Sequence, residues 1–236
     1  MSAADIRTDA VRKGGFDPSA GARSRWLRPS LYNISLAMIV VIGFVAIAAP
    51  FVAPYDPLQQ DILQRLKGPS TAHWLGTDWL GRDILSRIIY GLRSSLSISA
   101  GAVFVALLAG GILGLAAAYY KGWTDRIIMR LMDILFAFPV MLLAIGVIAL
   151  LGPGRFPTGA AIAIVYTPIF ARLLRAPALV VAASDYVLSA RAIGASDLRI
   201  IAFHILPNLA SVILVQVSLL LSTAILVEAS LSFLGL

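Results

Sequence analysis

Long uncharged stretches dominate the chain and predict its secondary structure. Five stretches contain no Asp, Glu, Lys or Arg: residues 29–55, 94–120, 134–154, 156–171 and 200–227. About 20 helical residues cross the hydrocarbon core of a bilayer, and four of the stretches are long enough. The fourth stretch is short, but the long stems of Arg172 and Arg175 can reach the headgroups, so we expect its helix to continue to about Leu179. The alternating polarity of barrel strands is absent, so the sequence predicts five membrane-spanning helices.

Composition supports the membrane interpretation. Hydrophobic residues make up 59% of the 236 residues and charged residues 13%, against about half and a quarter in soluble domains. The net charge is +7, but the basic residues lie between apolar runs, whereas nucleic-acid binding needs them clustered. The chain has no cysteine, which excludes a disulfide scaffold, a zinc knuckle and cysteine-held iron–sulfur clusters. The expected fold class is an all-α, polytopic helical membrane protein.

The distribution of basic residues predicts the orientation of the spans. A polar tail, residues 1–30, precedes a first run about twice as long as the apolar core of a signal peptide, so we expect an uncleaved anchor. If this tail is cytoplasmic, the inner segments hold 13 basic residues and the outer segments hold 6. Inner loops of membrane proteins are enriched in Lys and Arg. The tail and residues 184–208 are therefore predicted to be cytoplasmic, and residues 55–95 extracytoplasmic.

The outer segment, residues 55–95, ends in an amphipathic pattern. An apolar stripe at helical spacing begins at Leu80 and continues to Leu92, with charged side chains opposite it. Thr77 or Asp78 is predicted to cap the start. We expect an amphipathic helix lying along the outer interface; the alternative is a solvated entry turn of the next span.

Two glycines in the second span stand four residues apart. Gly110 and Gly114 lie on one helix face, where small residues let two helices approach closely. The contact is either with another subunit or, as the commonness of small residues in bundles favours, with a helix of the same chain.

Residues 184–208 form a long polar connection that is not a simple linker. Gly194 is predicted to separate two short helices. Ser196 or Asp197 can cap the second helix, and Pro207 is expected to stop it before the fifth span. Several alanines keep the segment narrow, which suits insertion into a cleft on a partner protein. An ordinary amphipathic connector is the alternative.

The sequence shows no catalytic motif. A nucleotide-binding P-loop needs Lys followed by Ser or Thr, whereas Lys13, Lys67 and Lys121 are each followed by glycine. His73 and His204 fall on opposite sides of the membrane in the predicted topology, so they cannot share a metal ion. No catalytic, cofactor or metal site is predicted.

Two acidic residues fall at or within spans. Asp133 is expected to pair with Arg130 at the membrane boundary. Glu228 lies in the fifth span, where a carboxylate is costly unless it faces a polar cavity or a partner. It is therefore a candidate functional polar site within the membrane; the alternative is that the outer headgroup region reaches it.

Several motifs resemble one transporter family. Residues 50–57 (PFVAPYDP) and 73–87 (HWLGTDWLGRDILSR) closely resemble the C-type subunit of dipeptide/oligopeptide ABC-importer permeases. Residues 186–208 resemble the EAA loop of these permeases, E-A-A-x3-G-x9-I-x-L-P. Four positions match in register: Ala190, Gly194, Leu206 and Pro207. Residues 228–236 are also similar to the family.

The resemblance has departures. Leu188 and Ser189 replace the first Glu and Ala of the EAA loop, and His204 takes the Ile position, so contacts of the missing carboxylate are not expected. Such permeases usually have six core helices, and the sequence shows five. We expect residues 31–236 to form the permease domain and a sixth helix to be missing from the chain.

The resemblance implies the type I ABC-importer transmembrane fold and a permease without enzymatic activity. It also implies a second, non-identical permease, two cytoplasmic ATPase subunits that bind ATP and magnesium, an extracytoplasmic binding protein, and a bacterial inner-membrane location. The residues implied to couple the permease to the ATPases are Tyr186, Ser189, Ala190, Gly194, Ala195, Leu206 and Pro207. A peptide is the expected cargo. The alternatives are a nickel chelate or another small solute, or an ATP-independent secondary transporter, for which repeats and intramembrane charges would be expected.

Overall fold

A computed structural model describes residues 31–235, and the chain divides into two units after Val52. The first unit contains α1 (Leu31–Ile47) and the single turn α2 (Ala49–Val52). Helix α1 is apolar and has 17 residues, which is the lower limit of about 17 for crossing a bilayer. The first predicted span therefore stays a prediction. The predicted tail, residues 1–30, lies outside the described residues.

The second unit, from Ala53 onward, is helical and has no strand within the described residues. Its helices are α3 (Ile84–Tyr120), α4 (Gly122–Phe136), α5 (Val140–Leu151), α6 (Arg155–Ala182), α7 (Asp185–Ala192), α8 (Asp197–Ile200) and α9 (Ala210–Phe233). Short 3₁₀ turns occur at Ile62–Gln64 and Leu206–Leu209, and a π-helical turn at Ile201–Ile205. The all-α prediction is confirmed.

Three helical runs in the described part of the chain are long and apolar enough to cross a membrane. They are α3, α6 and the continuous run from Asp197 to Phe233. They coincide with the second, fourth and fifth predicted spans. Helix α6 continues to Ala182, as expected from the short fourth stretch.

The third predicted span is not one straight helix. Helices α4 and α5 are bent by 92° at a short break, and Pro139 occupies the position that precedes α5. Proline lacks an N–H and its ring clashes with the preceding turn, so the helix ends before it. The prediction of an unbroken third span was wrong, although the bent pair can still act as one span.

The outer amphipathic pattern is part of α3. Helix α3 begins at Ile84 and runs 37 residues without a break. Asp83, not Thr77 or Asp78, caps it, because its Oδ2 accepts the Ser86 N–H at 2.8 Å. A separate interfacial helix was therefore the wrong prediction, and the entry turns of the next span are the correct alternative. Gly81, with φ +73°, turns the chain just before the cap.

Pro207 does not stop the helix that begins at Asp197. The run continues into α9 through the π-helical turn and the 3₁₀ turn. A wider π turn followed by a tighter 3₁₀ turn makes room for the proline ring and tolerates the hydrogen bond that proline cannot donate. The prediction of a stop at Pro207 was wrong for this reason.

The two glycines of α3 pack within the chain. A Cβ added at Gly110 would lie 2.3 Å from the Thr167 carbonyl oxygen, and one at Gly114 would lie 2.3 Å from that of Ala171. Residue numbers increase in the same direction in both contacts, from Gly110 to Gly114 on α3 and from Thr167 to Ala171 on α6. The two helices therefore run parallel and in backbone contact. The interpretation of packing within one chain is confirmed.

Candidate functional site

The segment Ser184–Asn208, called here the 184–208 segment, is anchored on the ends of α3 and α6. Its buried apolar side chains join a core cluster with residues of those two helices. On the segment and just after it these are Val187, Ala190, Ile200, Ile205 and Leu209, and on α3 and α6 they include Leu115, Tyr119, Leu174 and Ala178. The segment is therefore connected rigidly to two candidate spans.

Gly194 ends α7 in a left-handed conformation. Its φ is +84°, its N–H donates to the Arg191 carbonyl at 3.0 Å, and the Ala195 N–H donates to the Ala190 carbonyl at 3.1 Å. This pair of bonds is a Schellman motif, in which glycine avoids the steric cost of a Cβ at positive φ. The predicted glycine break between two helices is confirmed.

A polar contact fixes the second short helix. Asp197 was predicted as a cap, and Ser196 occupies the cap position without a side-chain cap bond. The Asp197 carboxylate instead accepts the Tyr119 hydroxyl at 2.7 Å, and the Arg191 guanidinium lies 4.9 Å from the Tyr119 ring centroid. The sequence did not reveal this contact because its partners are 78 residues apart.

Asn208 joins the end of the 184–208 segment to its first helix. The Asn208 amide donates to the Tyr186 hydroxyl at 3.2 Å and to the His204 carbonyl at 2.7 Å. The Tyr186 and His204 rings lie 6.3 Å apart. His204, which departs from the family pattern, thus packs near Tyr186 and tightens the connection between α7 and the π-helical turn.

The predicted coupling residues divide into two groups. Ala190 is buried and Ala195 packs against the core cluster, so these two anchor the segment. The remaining five, Tyr186, Ser189, Gly194, Leu206 and Pro207, are exposed. Sequence reasoning missed three large apolar side chains that are exposed beside them: Ile193 at 87%, Leu198 at 77% and Phe203 at 73%. Apolar side chains this exposed are typical of a surface that contacts another protein or the membrane.

Glu228 lies on the buried face of α9. The Glu228 side chain is buried, and Ala224 and Leu231, which share its helix face, are fully buried. Its Oε2 has no hydrogen-bond partner among residues 31–235. A buried carboxylate oxygen without a partner is costly, which distinguishes Glu228 from the rest of this apolar helix.

Two ion pairs join α4 to α6. The Arg175 guanidinium donates to Asp125 with a distance of 2.6 Å between Nη2 and Oδ2, and Arg172 pairs with Asp133. The Arg172 guanidinium also lies 4.3 Å from the Phe136 ring centroid. The expected pair of Asp133 with Arg130 was therefore wrong, because tertiary packing gives Asp133 a partner on a neighbouring helix.

The motif at residues 73–87 folds the loop before α3, residues 55–83. His73 Nδ1 lies 2.9 Å from Asp83 Oδ1, while Asp83 Oδ2 accepts the N–H and hydroxyl of Ser86. The Ser86 hydroxyl oxygen also accepts the Tyr55 N–H at 3.1 Å. Burial raises the pKa of Asp83, but the hydrogen bonds from Ser86 and His73 outweigh burial. The pKa of Asp83 therefore lies below its ordinary value. Within the described residues, no group of three or more potential ligands is arranged to bind a metal ion.

Asp78 organises the other half of the loop. Its carboxylate accepts the N–H groups of Leu80 and Arg82 and pairs with Arg82 and Arg87. Burial alone raises the pKa of Asp78, but the hydrogen bonds from Arg82 and Leu80 outweigh it and lower the pKa to about 2. Gly81 packs so closely that a Cβ would lie 1.7 Å from the Asp61 carbonyl oxygen. The motif residues are thus structural.

Comparison with known proteins agrees with this architecture. Residues 106–236, more than half of the chain, match the family described as binding-protein-dependent transport system inner membrane component. The chain belongs to this family. Residues 20–69 match the N-terminal transmembrane domain of oligopeptide transport permease C. The protein is therefore the permease subunit of an ABC importer in a multi-pass inner-membrane arrangement, and ATP hydrolysis occurs in separate subunits.

The permease is similar to curated relatives over most of its length. It is 47% identical to the glutathione transport system permease protein GsiD of Pectobacterium atrosepticum over 218 residues, 91% of this chain and 72% of the relative. It is 45% identical to the dipeptide transport system permease protein DppC of Alkalihalophilus pseudofirmus over 203 residues, 85% of this chain and 67% of the relative. GsiD of Escherichia coli O6:K15:H31 is 46% identical over 90% of this chain and 70% of the relative.

Proposed function

We propose that this permease forms the membrane pathway of a peptide importer and that the 184–208 segment couples it to the ATPase subunits. The proposed assembly has a non-identical second permease, two cytoplasmic ATPases and an extracytoplasmic binding protein. The N-terminal tail and the 184–208 segment face the cytoplasm in this proposal, in agreement with the excess of basic residues on that side.

The observation that carries the coupling role is an exposed apolar surface on a firmly anchored segment. Ile193, Leu198 and Phe203 are exposed, while the opposite side of the segment is buried on α3 and α6. A partner that covers these side chains gains apolar burial worth about 25 cal/mol per Å². The ATPase surface is the proposed partner.

Anchoring also gives the segment a means of transmitting motion. A displacement of α7 or α8 acts directly on Tyr119 of α3 through the Asp197 hydrogen bond and the buried cluster. Packed interfaces move as bodies and do not deform gradually. Closure of the ATPase dimer would therefore tilt α3 and α6 together, which supports alternating access by rocking of helices.

Glu228 is the proposed polar site of the pathway. Its side chain is buried in the present arrangement, so it reaches a solute only if α9 separates from the helices packed against it. A carboxylate exposed at that stage would attract the ammonium group of a peptide. The proposed role therefore applies to one state of the transport cycle.

The cargo is proposed to be a small peptide, since the matched relatives are named for glutathione and dipeptide transport. The experiment is uptake of labelled glutathione and labelled dipeptides by the complete importer reconstituted in vesicles with its binding protein and ATP. ATP-dependent accumulation of either is the expected result. Uptake of neither peptide, with ATP-driven uptake of another solute, would contradict the peptide assignment.

The coupling role is tested by placing a charge on the exposed apolar surface. Leu198→Glu should weaken ATPase association and abolish substrate-stimulated ATP hydrolysis, because a carboxylate would be buried at the contact. The matched control is Leu63→Glu, which alters a leucine in the loop before α3 that is 89% exposed, against 77% for Leu198. Normal stimulation in the Leu198 variant would contradict the role of this surface.

A further inference from the structure

An open cleft between α4 and α6 is lined by more arginine than aspartate. Its volume is about 1050 Å³. The charged side chains that line it are Asp125, Asp133, Arg126, Arg130, Arg172 and Arg175. Four guanidinium groups therefore face two carboxylates, and the cleft carries an excess of positive charge.

Each of the two carboxylates already forms an ion pair with an arginine of α6. Asp125 pairs with Arg175 and Asp133 pairs with Arg172. Arg126 and Arg130 are exposed and form no ion pair with any residue of the described range. They stand one turn apart on α4, where two like charges repel each other. An anion between them would remove this repulsion.

Aromatic side chains mark the level of the cleft in the membrane. Tyr120 and Trp123 are exposed where α3 ends and α4 begins, and such residues are enriched at the boundary between lipid and water. The Arg126 guanidinium lies 4.8 Å from the Trp123 ring centroid. Gly122, Asp125 and Arg126 line the cleft beside these aromatic side chains, which places Arg126 at the level of the lipid headgroups.

An apolar stripe runs along α4 beside Arg126 and Arg130. Trp123, Ile127, Leu131 and Ile134 are exposed and recur at the spacing of one helix face. A soluble anion would leave this stripe uncovered. A ligand with an anionic head and an apolar tail satisfies both the arginines and the stripe.

We propose that the cleft between α4 and α6 binds an anionic phospholipid. Arg126 and Arg130 bind the headgroup phosphate, and the acyl chains cover the stripe on α4. Basic pockets between membrane helices are suited to anionic headgroups. The bound lipid would hold the bent α4–α5 pair at the membrane surface, whichever solute the importer carries.

The experiment measures lipid retained by the complete permease in its assembled complex. Native mass spectrometry would count phosphatidylglycerol bound in mixtures with phosphatidylcholine. In the Arg126→Gln/Arg130→Gln variant we expect phosphatidylglycerol binding to weaken about 25-fold, since each basic residue near an anionic surface contributes roughly a factor of five. The matched control, Arg65→Gln, removes an exposed arginine from the loop before α3 and should bind as the wild type does.

The outcomes separate the proposal from its competitors. Arg126→Lys/Arg130→Lys keeps the charge and should retain most of the binding, which also shows that an altered α4 still folds. The double glutamine variant leaves both α4–α6 ion pairs in place. Undiminished phosphatidylglycerol binding by that variant would overturn the proposal, as would equal retention of phosphatidylcholine by the wild type. Displacement of the lipid by inorganic phosphate would assign the cleft to a soluble anion and overturn it as well.

Discussion

Gly194 holds a backbone conformation that other residues adopt only at a cost. Its φ is +84° and no atom lies within 4 Å of where a Cβ would be. The requirement for glycine at this position thus comes from the backbone alone, and crowding does not contribute. A substitution is therefore expected to change the direction of α8 relative to α7.

Gly194→Val should uncouple transport from ATP hydrolysis. A β-branched residue in the left-handed region costs about 1–2 kcal/mol, which is relieved if the turn rotates and the exposed apolar surface changes direction. The measurement is binding-protein-stimulated ATPase activity of the reconstituted complex, with the amount of permease in the membrane as a check.

Gly194→Asn is the matched control, because asparagine tolerates the left-handed region. It should retain most of the stimulation that the valine variant loses. Equal, wild-type stimulation in both variants would mean that this turn does not direct coupling.

Asp78 makes the loop before α3 sensitive to acid. Its pKa is about 2 in the folded loop against an ordinary 3.8, so its contribution to stability is complete above about pH 4. That contribution is lost as the pH falls towards 2, because the carboxylate is then protonated and its ion pairs with Arg82 and Arg87 weaken.

Hydrogen exchange of the loop amides, corrected for intrinsic rates, measures this effect. Protection should fall between pH 4 and pH 2 in the wild type and should already be reduced at pH 7 in Asp78→Asn. Asp56→Asn is the control, since the Asp56 carboxylate accepts a single backbone hydrogen bond, from the Leu58 N–H. A wild-type acid profile in Asp78→Asn would contradict the role of this carboxylate.

At the scale of elements, the contact between α3 and α6 determines where the candidate sites lie. The two helices run parallel with glycine against backbone, and they provide the platform on which the 184–208 segment packs. Helix α4 is attached to the same α6 by the Asp125 and Asp133 ion pairs. Helix α6 therefore contacts the 184–208 segment and also lines the arginine-rich cleft.

Gly114→Ala should destabilise the permease by about 1–3 kcal/mol, because overpacking forces helices apart. The added Cβ would lie 2.3 Å from the Ala171 carbonyl oxygen, which belongs to the backbone and cannot rotate away. Thermal unfolding of the purified complex in detergent measures the change.

Gly101→Ala on the same helix is the control for Gly114→Ala. Nothing lies within 4 Å of its Cβ position, and alanine favours helix by about 1 kcal/mol over glycine. Its stability should be unchanged or slightly higher. A stable Gly114 variant would mean that the two helices are not in backbone contact.

At the scale of the whole molecule, α3 joins the loop of residues 55–83 to the region of the 184–208 segment. The loop of residues 55–83 precedes its first residue, and the 184–208 segment packs beside its last turns through Tyr119 and Asp197. A 37-residue helix is about 55 Å long at about 1.5 Å per residue. This exceeds the thickness of the bilayer core of about 30 Å, so the helix is long enough for its two ends to lie on opposite sides of the membrane, as the proposed topology requires.

Single cysteines test this topology, because the chain has none of its own. Ser70→Cys should react with an impermeant reagent added outside intact cells, whereas Ser196→Cys should react only after the membrane is opened. Both positions are exposed, which makes reactivity depend on the side of the membrane. Labelling of Ser196→Cys from outside would reverse the proposed orientation.

The sequence by itself determined the class of the protein. Runs of uncharged residues fix which segments are helices in lipid, because only helices satisfy their own backbone there. Local chemistry was also readable: Gly194 was predicted to separate two short helices, because glycine adopts positive φ without the steric cost that a Cβ adds. The prediction that the fourth stretch extends past Ala171 succeeded for a similar reason, because the length of a span is set by the bilayer.

Only the tertiary structure decided which residues meet. Asp133 pairs with Arg172 and not with Arg130, and Asp197 bonds Tyr119 and does not cap its own helix. These partners lie 39 and 78 residues away in the chain, and no local pattern records such a distance. The same holds for Ile193, Leu198 and Phe203, which look like core residues in the sequence. Their exposure follows from the burial of the opposite side of the segment on α3 and α6, because a single short helix can bury only one of its faces on a neighbour.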